Sequence, residues 1–360
     1  MKRNFLYLAV LTLIALLVLV IFVGRDRSPD QAPANALLLP QMSEQINTVD
    51  RVEIISAGNS VVATMVKSAD HWQLEQMGGY RADWQKLKTL LAALAQAMVV
   101  ETKTDKPEYY SRLGVEDIAK QNSDSVLVRL SAGEHTTGVL IGHEAEGRSG
   151  QYVRLENEAA SALVDRFIEV YATQLEWADS TIIDINAAEV AEVEILHPDG
   201  ARVLVTRISA DQTDFDFVGL PQGRETRSSW AVNSLGSVFS MLNMDSVRLQ
   251  DSVDWSGAVK MRLLTFSGIE VMADLVEADG EYLVRMLASH PAAKVVNEPA
   301  QQNEISNEQK DIEERAAADV AKTVEAINQK VAGWAYGIRK HKYETMISKP
   351  EDLLKPLEQS

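Results

Sequence analysis

The side chains that could carry chemistry in this chain are few, and their spacing argues against most reactions. With no cysteine among its 360 residues, thiolate catalysis, thiolate metal sites and disulfides are excluded. His143-Glu144 opens like a zincin motif, but Gly147 stands where the second histidine must be. His135 and His143 flank a predicted strand over 137–142. That span of extended chain puts them roughly 26 Å apart, too far to share one metal. Both read as histidines at hairpin ends. Asp211, Asp214 and Asp216 invite a calcium reading, yet Val218 takes a ligand position and the glycine comes at 219. No spaced bidentate glutamate completes a loop, so the triplet reads as a solvated turn entering a strand.

No G-x-S-x-G, phosphate-cradling G-x-x-x-x-G-K or G-x-G-x-x-G is present. Tyr109, Tyr110 and Arg112 follow Pro107 in a predicted short helix and read as an apolar anchor rather than a binding patch. Trp72, Trp84, Trp177, Trp230, Trp255 and Trp334 fall at matching stages of two repeated units, which assigns them to the core. Catalytic, cofactor-binding and metal residues are therefore expected to be none, and the protein is expected not to be an enzyme.

The elements that would position any site begin with an apolar run. Phe5 to Val23 carries no charge, and as a helix it would span roughly 28 Å, close to the hydrocarbon core of a bilayer. Lys2 and Arg3 precede it, and Arg25, Asp26 and Arg27 close it. A signal peptide would have a shorter apolar run and a nearby small-residue cleavage site. Here the A-x-A-like site is Ala32-Pro33-Ala34, beyond the basic flank, and no cysteine offers a lipid anchor. The expectation is a single-pass transmembrane helix within 1–24 and a linker over 25–46. The implied location is the bacterial inner membrane, with a cytoplasmic N-terminus, a periplasmic C-terminal domain and the lipid bilayer as a partner through 5–23.

The net charge is −17, from 52 acidic and 35 basic residues. That balance argues against nucleic acid, which wants clustered Lys and Arg.

Internal repetition organises the rest. Val49-Asp50-Arg51-Val52-Glu53-Ile54, Gly58 and a second apolar alternation over 61–66 are answered by Val190-Ala191-Glu192-Val193-Glu194-Ile195, Gly200 and Val203-Leu204-Val205. Each reads as two strands joined by a glycine turn. An aromatic third strand follows (71–74 and 215–217), then a helix. Leu87, Leu90, Leu91, Leu94 and Met98 take helical spacing in one unit, and Val232, Leu235, Val238, Phe239 and Leu242 in the other. A second meander follows over 125–130, 137–142 and 151–155, matched by 260–266, 269–276 and 281–287. The predicted fold class is α+β: the N-terminal transmembrane helix, then a tandem duplication of β-meander and helix units over 47–180 and 181–290.

Residues 291–332 interrupt the second unit, which 333–360 then completes with a strand and a short helix. The spacing predicts one long helix from Ser306 to Val331, ending at Gly333. Its apolar stripe includes Ile312, Val320, Val324 and Ile327, opposite a charged face. The stripe either lies on the helix's own sheet or meets a partner protein, and these four residues are the candidate partner contacts.

The chain also resembles a known family. The residues concerned are Asn47-x-x-Asp50-Arg51-Val52-Glu53-Ile54, Trp72, Gly78-Gly79-Tyr80-x-Ala82-Asp83, Pro107-Glu108-x-Tyr110-x-x-Leu113-Gly114-Val115-Glu116-Asp117, Tyr152-Val153-Arg154 and Ser229-Trp230-Ala231-Val232-Asn233. Over most of 40–290 they resemble a bacterial family of unknown function made of single-anchor envelope proteins. Its members are commonly encoded beside an ABC-type ATPase, its permease and an auxiliary protein similar to gliding-motility components. The resemblance implies no activity and no catalytic residue; the long helix departs from the family's core pattern. The expected function is that of a membrane-anchored periplasmic accessory subunit of an ABC-type transport or envelope system. Its implied partners are that permease, the ATPase and the second auxiliary protein. Two alternatives stay open: an envelope hydrolase or ligand-binding protein with a site between the units, and an envelope-assembly scaffold.

Overall fold

The computed structural model describes residues 35–69, 71–291 and 307–356. The chain divides into two compact units. Among the described residues, the first is formed by those up to Glu75 and by Trp84–Trp177; the second by Gln76–Asp83 and those from Ala178 onward.

The strands of the first half of the chain are β1 (Arg51–Ser56), β2 (Ser60–Lys67), β3 (Trp72–Leu74), β4 (Tyr80–Arg81), β5 (Val99–Thr102), β6 (Val126–Ala132), β7 (His135–Glu144), β8 (Gln151–Leu155) and β9 (Ser161–Val164). Those of the first unit are ordered β3-β2-β1-β6-β7-β8-β9-β5. Alternation sets the faces: Val52 and Ile54 are buried and pair across to buried Leu130 and Val128, while Glu53 opposes Arg129 on the other face. The helix α1 (Pro40–Gln45) contacts α2 (Trp84–Gln96). Leu87, Leu90, Leu91 and Leu94 of α2 are buried, each contributing about 1.5–3 kcal/mol by leaving water. A third, one-turn helix is α3 (Tyr110–Leu113).

The second unit continues with β10 (Thr181–Ile183), β11 (Val190–Leu196), β12 (Arg202–Thr206), β13 (Asp216–Phe217), β14 (Leu242–Asn243), β15 (Ser246–Leu249), β16 (Val259–Thr265), β17 (Glu270–Ala278), β18 (Glu281–Ser289) and β19 (Trp334–Gly337). Its large sheet is ordered β13-β12-β11-β16-β17-β18-β19-β15, and β10 pairs with β14. Position by position this is the order of the first unit. Its helices are α4 (Ser229–Gly236), α5 (Asn307–Val331), α6 (Lys340–Met346) and α7 (Pro350–Leu353). Ser228 caps α4, its hydroxyl accepting from the Ala231 N–H at 3.1 Å. At the other end of α4, the Lys342 ammonium donates to the Ser237 and Val238 carbonyls at 3.1 and 3.3 Å, complementing the negative end of the helix. Burial holds that ammonium below its ordinary pKa.

Two expectations are corrected. The fold is not an α+β fold led by a transmembrane helix: the described residues are mainly antiparallel β-sheet with few helices. Short strands such as β5, β9 and β15 take sheet positions and widen each sheet beyond its two meanders. The second correction concerns the membrane. Among the described residues no helix is long and apolar enough to cross one, and α5, the longest, carries charge along its length. The expected span at 5–23 lies outside the described residues. A single-pass inner-membrane location with a periplasmic domain therefore has no support here and is withdrawn.

Candidate functional site

On the outer face of the first unit's sheet, Glu53 of β1 and Glu156, just past β8, converge on Arg129 of β6. Arg129 donates to the Glu156 carboxylate at 2.6 and 3.3 Å and lies 3.5 Å from Glu53. The reach is allowed by Gly138, which sits between them on β7; a Cβ there would overlap the Glu156 carboxylate. The hydrogen bonds that Arg129 donates to Glu156 raise its pKa further, so this guanidinium is a fixed cation. Beside it lies a groove of about 320 Å³, walled by Leu39 and Met42 near α1, Thr137 and Gly138 of β7, and Glu156 and Glu158. Its size suits a small molecule. Both Glu156 oxygens are committed to Arg129, so that carboxylate is not free to act as an acid or base.

The second unit repeats the cross-strand pair. Glu194 of β11 opposes Arg262 of β16 as Glu53 opposes Arg129. Arg262 also meets Glu192 and Glu270, and Arg202 donates to Glu194 at 2.6 Å. Burial alone would raise the Glu194 pKa, but Arg202 and Arg262 together take it below the ordinary value. Here the position facing Arg262 on β17 is Met272 rather than glycine.

The four candidate partner contacts fall on α5. The Ile312 side chain lies outside the described ones. Val320, Val324 and Ile327 are half-buried, and the helix contacts β18 and β10. The end of α5 is anchored: the Asn328 amide donates to the Ala288 carbonyl and accepts from its N–H, both at 2.8 Å, and Val331 is buried. Before that anchor the helix stands clear, with every residue from Arg315 to Asp319 exposed.

The remaining sequence candidates are dispersed. His135 and His143 lie at opposite ends of β7, and His143 stands 3.6 Å from Asp124. Asp214 accepts from the Asn233 amide at 2.6 Å and Asp216 from Gln212 at 2.9 Å, which orders a loop. Among the described residues no group of three or more His, Asp or Glu could hold a metal ion. Tyr110 is buried, its hydroxyl donating to the Ala159 carbonyl, under the Arg154 guanidinium. Trp72 and Trp177 are core, but Trp84 and Trp230 are corrections, being 48% and 79% exposed. Both stand in the first turn of a helix, on its outer side.

Two buried arginines have roles that sequence reasoning missed: Arg154 stands in the Tyr152-Val153-Arg154 motif but with no role attached, and Arg207 stands in none. Arg154 donates to the Val115 and Glu158 carbonyls. Arg207 donates to those of Val190 and Ala187 and lies over Phe215 and Phe266. Burial depresses the Arg207 pKa. Each pins loops to its own sheet through backbone carbonyls; the aromatic neighbour is the signal that could have marked them.

Residues 72–254 match a family described as a domain of unknown function, DUF4340. The match covers half of the chain. The chain belongs to the DUF4340 family. No curated protein and no solved structure matches it. The DUF4340 span runs from β3 through β15 and so takes in parts of both units, whereas α5 lies beyond it.

Proposed function

We propose that this DUF4340 protein is a non-catalytic accessory subunit of an ABC-type transport system, acting through protein–protein contact on α5. The observation that carries the reading is the state of that helix. Its last turns are fixed to β18 through Asn328, while residues 315–319 are exposed and Val320, Val324 and Ile327 are only half covered. A partner helix or groove laid along this stripe would complete its burial. The family resemblance supplies the class of partner: a permease, its ATPase and a second auxiliary protein. The outer sheet faces, by contrast, are occupied by internally satisfied Glu–Arg networks.

The test is affinity purification of the full-length protein with mass spectrometry, in a detergent that keeps a known transporter intact. The proposal expects a permease and an ATPase at comparable abundance. Ala317→Arg, at an exposed position, and Val324→Asp should each remove them while leaving the circular dichroism and melting of the protein in place. Recovery that neither substitution alters would contradict the role of α5.

A further inference from the structure

The second unit contains a slot filled from the first half of the chain. Gln76–Asp83 groups with that unit although the residues on either side of it in sequence belong to the first. Gly78 and Gly79 both take left-handed backbone, with φ of 65° and 86°, a turn that side chains resist. The turn delivers Tyr80, which is 1% exposed. Its ring stands edge-on to Trp334 at 5.1 Å and to Tyr336 at 6.1 Å, an arrangement favoured by the ring quadrupoles. Its hydroxyl donates to the Asp179 carbonyl at 2.9 Å. The Asp179 N–H donates to the Arg81 carbonyl at 3.1 Å, and Ala82 bridges antiparallel to Ala178.

The same cluster holds the root of α5. The Tyr336 hydroxyl donates to the Lys330 carbonyl at 2.9 Å, in the last turn of that helix. The Lys330 ammonium lies 2.7 Å from the Asp179 carboxylate. Strand pairing on Asp179 and an aromatic pocket on β19 thus grip one segment, the two ingredients of recognition by strand addition.

We infer that Gln76–Asp83 is a tethered ligand of the second unit: Ala178, Asp179, Trp334 and Tyr336 form a recognition site for a Gly-Gly-Tyr strand, and filling it fixes the root of α5. The occupant is the chain's own segment, held in cis. This stands on the contacts alone and does not depend on the transporter reading; its test is read without any partner present.

Hydrogen exchange of the full chain followed by mass spectrometry tests it. Tyr80→Ala should speed exchange about tenfold or more over 179–183 and 328–337, since local opening there loses its plug. Protection of β1, β6 and β7 should not change, and Tyr80→Phe, which keeps the ring, should retain most protection over 328–337. Unchanged exchange over 328–337 in Tyr80→Ala, or a rise spread equally over β1, β6 and β7, would overturn the proposal. A second measurement covers a variant that fails to fold. Ala82→Cys with Ala178→Cys puts two thiols on bridged strands of a cysteine-free chain, at a spacing disulfides accept. Oxidation should give a cross-linked monomer; a disulfide-linked dimer, or two free thiols, would overturn occupancy in cis.

Discussion

Between β8 and β9 the first unit turns within residues 156–160, whereas the second unit, at the same place in its strand order, runs through residues 290–333 and includes α5. The consequence is visible on the preceding strand. β8 pairs with β9 along Gln151–Arg154, but β18 pairs with β19 only at Leu283 and Val284. The outer half of β18 would be left as an open edge, a liability for aggregation. Asn328 covers its end, its side-chain amide matching both backbone groups of Ala288 as a neighbouring strand would. The helix within this longer connection thus caps part of the strand that β19 does not reach. The part of α5 beyond the cap is where the second unit gains a surface that the first does not have.

Several substitutions sharpen this contrast. The largest effect belongs to the core that both units have: Leu90→Ala in α2 should cost about 2–5 kcal/mol by cavity formation, read by urea unfolding. Alkaline pH should act on the second unit. Burial raises the pKa of Tyr80 and of Tyr336, so the folded unit favours their protonated forms. That contribution is whole below the unfolded tyrosine pKa of about 10 and is lost as pH rises beyond it. Relative to the intrinsic base-catalysed rate, protection over 328–337 should fall above that pH before protection of β6 does.

The cap itself gives an intermediate effect. Asn328→Ala should cost about 1–3 kcal/mol by stranding the Ala288 N–H and carbonyl, while Asn157→Ala, exposed in the short hairpin, should stay within about 0.5 kcal/mol. Equal effects would break the comparison. The smallest contrast concerns the two outer faces. Gly138→Ala should displace Glu156 from Arg129 at about 1–2 kcal/mol, a figure discounted because the pair is partly screened. Met272→Ala, facing Arg262 in the other unit, should leave its ion pairs in place, and the difference is measurable as paired shifts in denaturation midpoint.

Much of the sheet framework is legible in the order of the residues. Val52-Glu53-Ile54 and Val193-Glu194-Ile195 alternate as strands do, and the observed β1 and β11 fall there. The leucines of α2 repeat at helical spacing and are buried together. Four things are not legible, each for a physical reason. β9 and β15 are four-residue strands, too short for a period to show, and without them the balance tips toward α+β. Trp84 and Trp230 look like core by type, but residue type does not say which side of a first turn faces solvent. Gly78-Gly79-Tyr80 reads as a loop, because the pocket that buries Tyr80 comes from Asp179, Trp334 and Tyr336, far along the chain. The groove beside Gly138 has the same character: residues 38–42, 136–138 and 155–158 meet only in the fold.

The central claim is that α5 adds a partner-binding surface to a unit otherwise built like its neighbour. The most direct measurement compares the intact chain with one in which residues 292–326 are replaced by a short polar turn, keeping Asn328 and Lys330. Both are purified by affinity in parallel, and co-purifying proteins are quantified by mass spectrometry. The account predicts a permease and an ATPase with the intact chain alone, both proteins melting cooperatively. Equal recovery from the two, or none from the intact chain where a known transporter holds together, would contradict it.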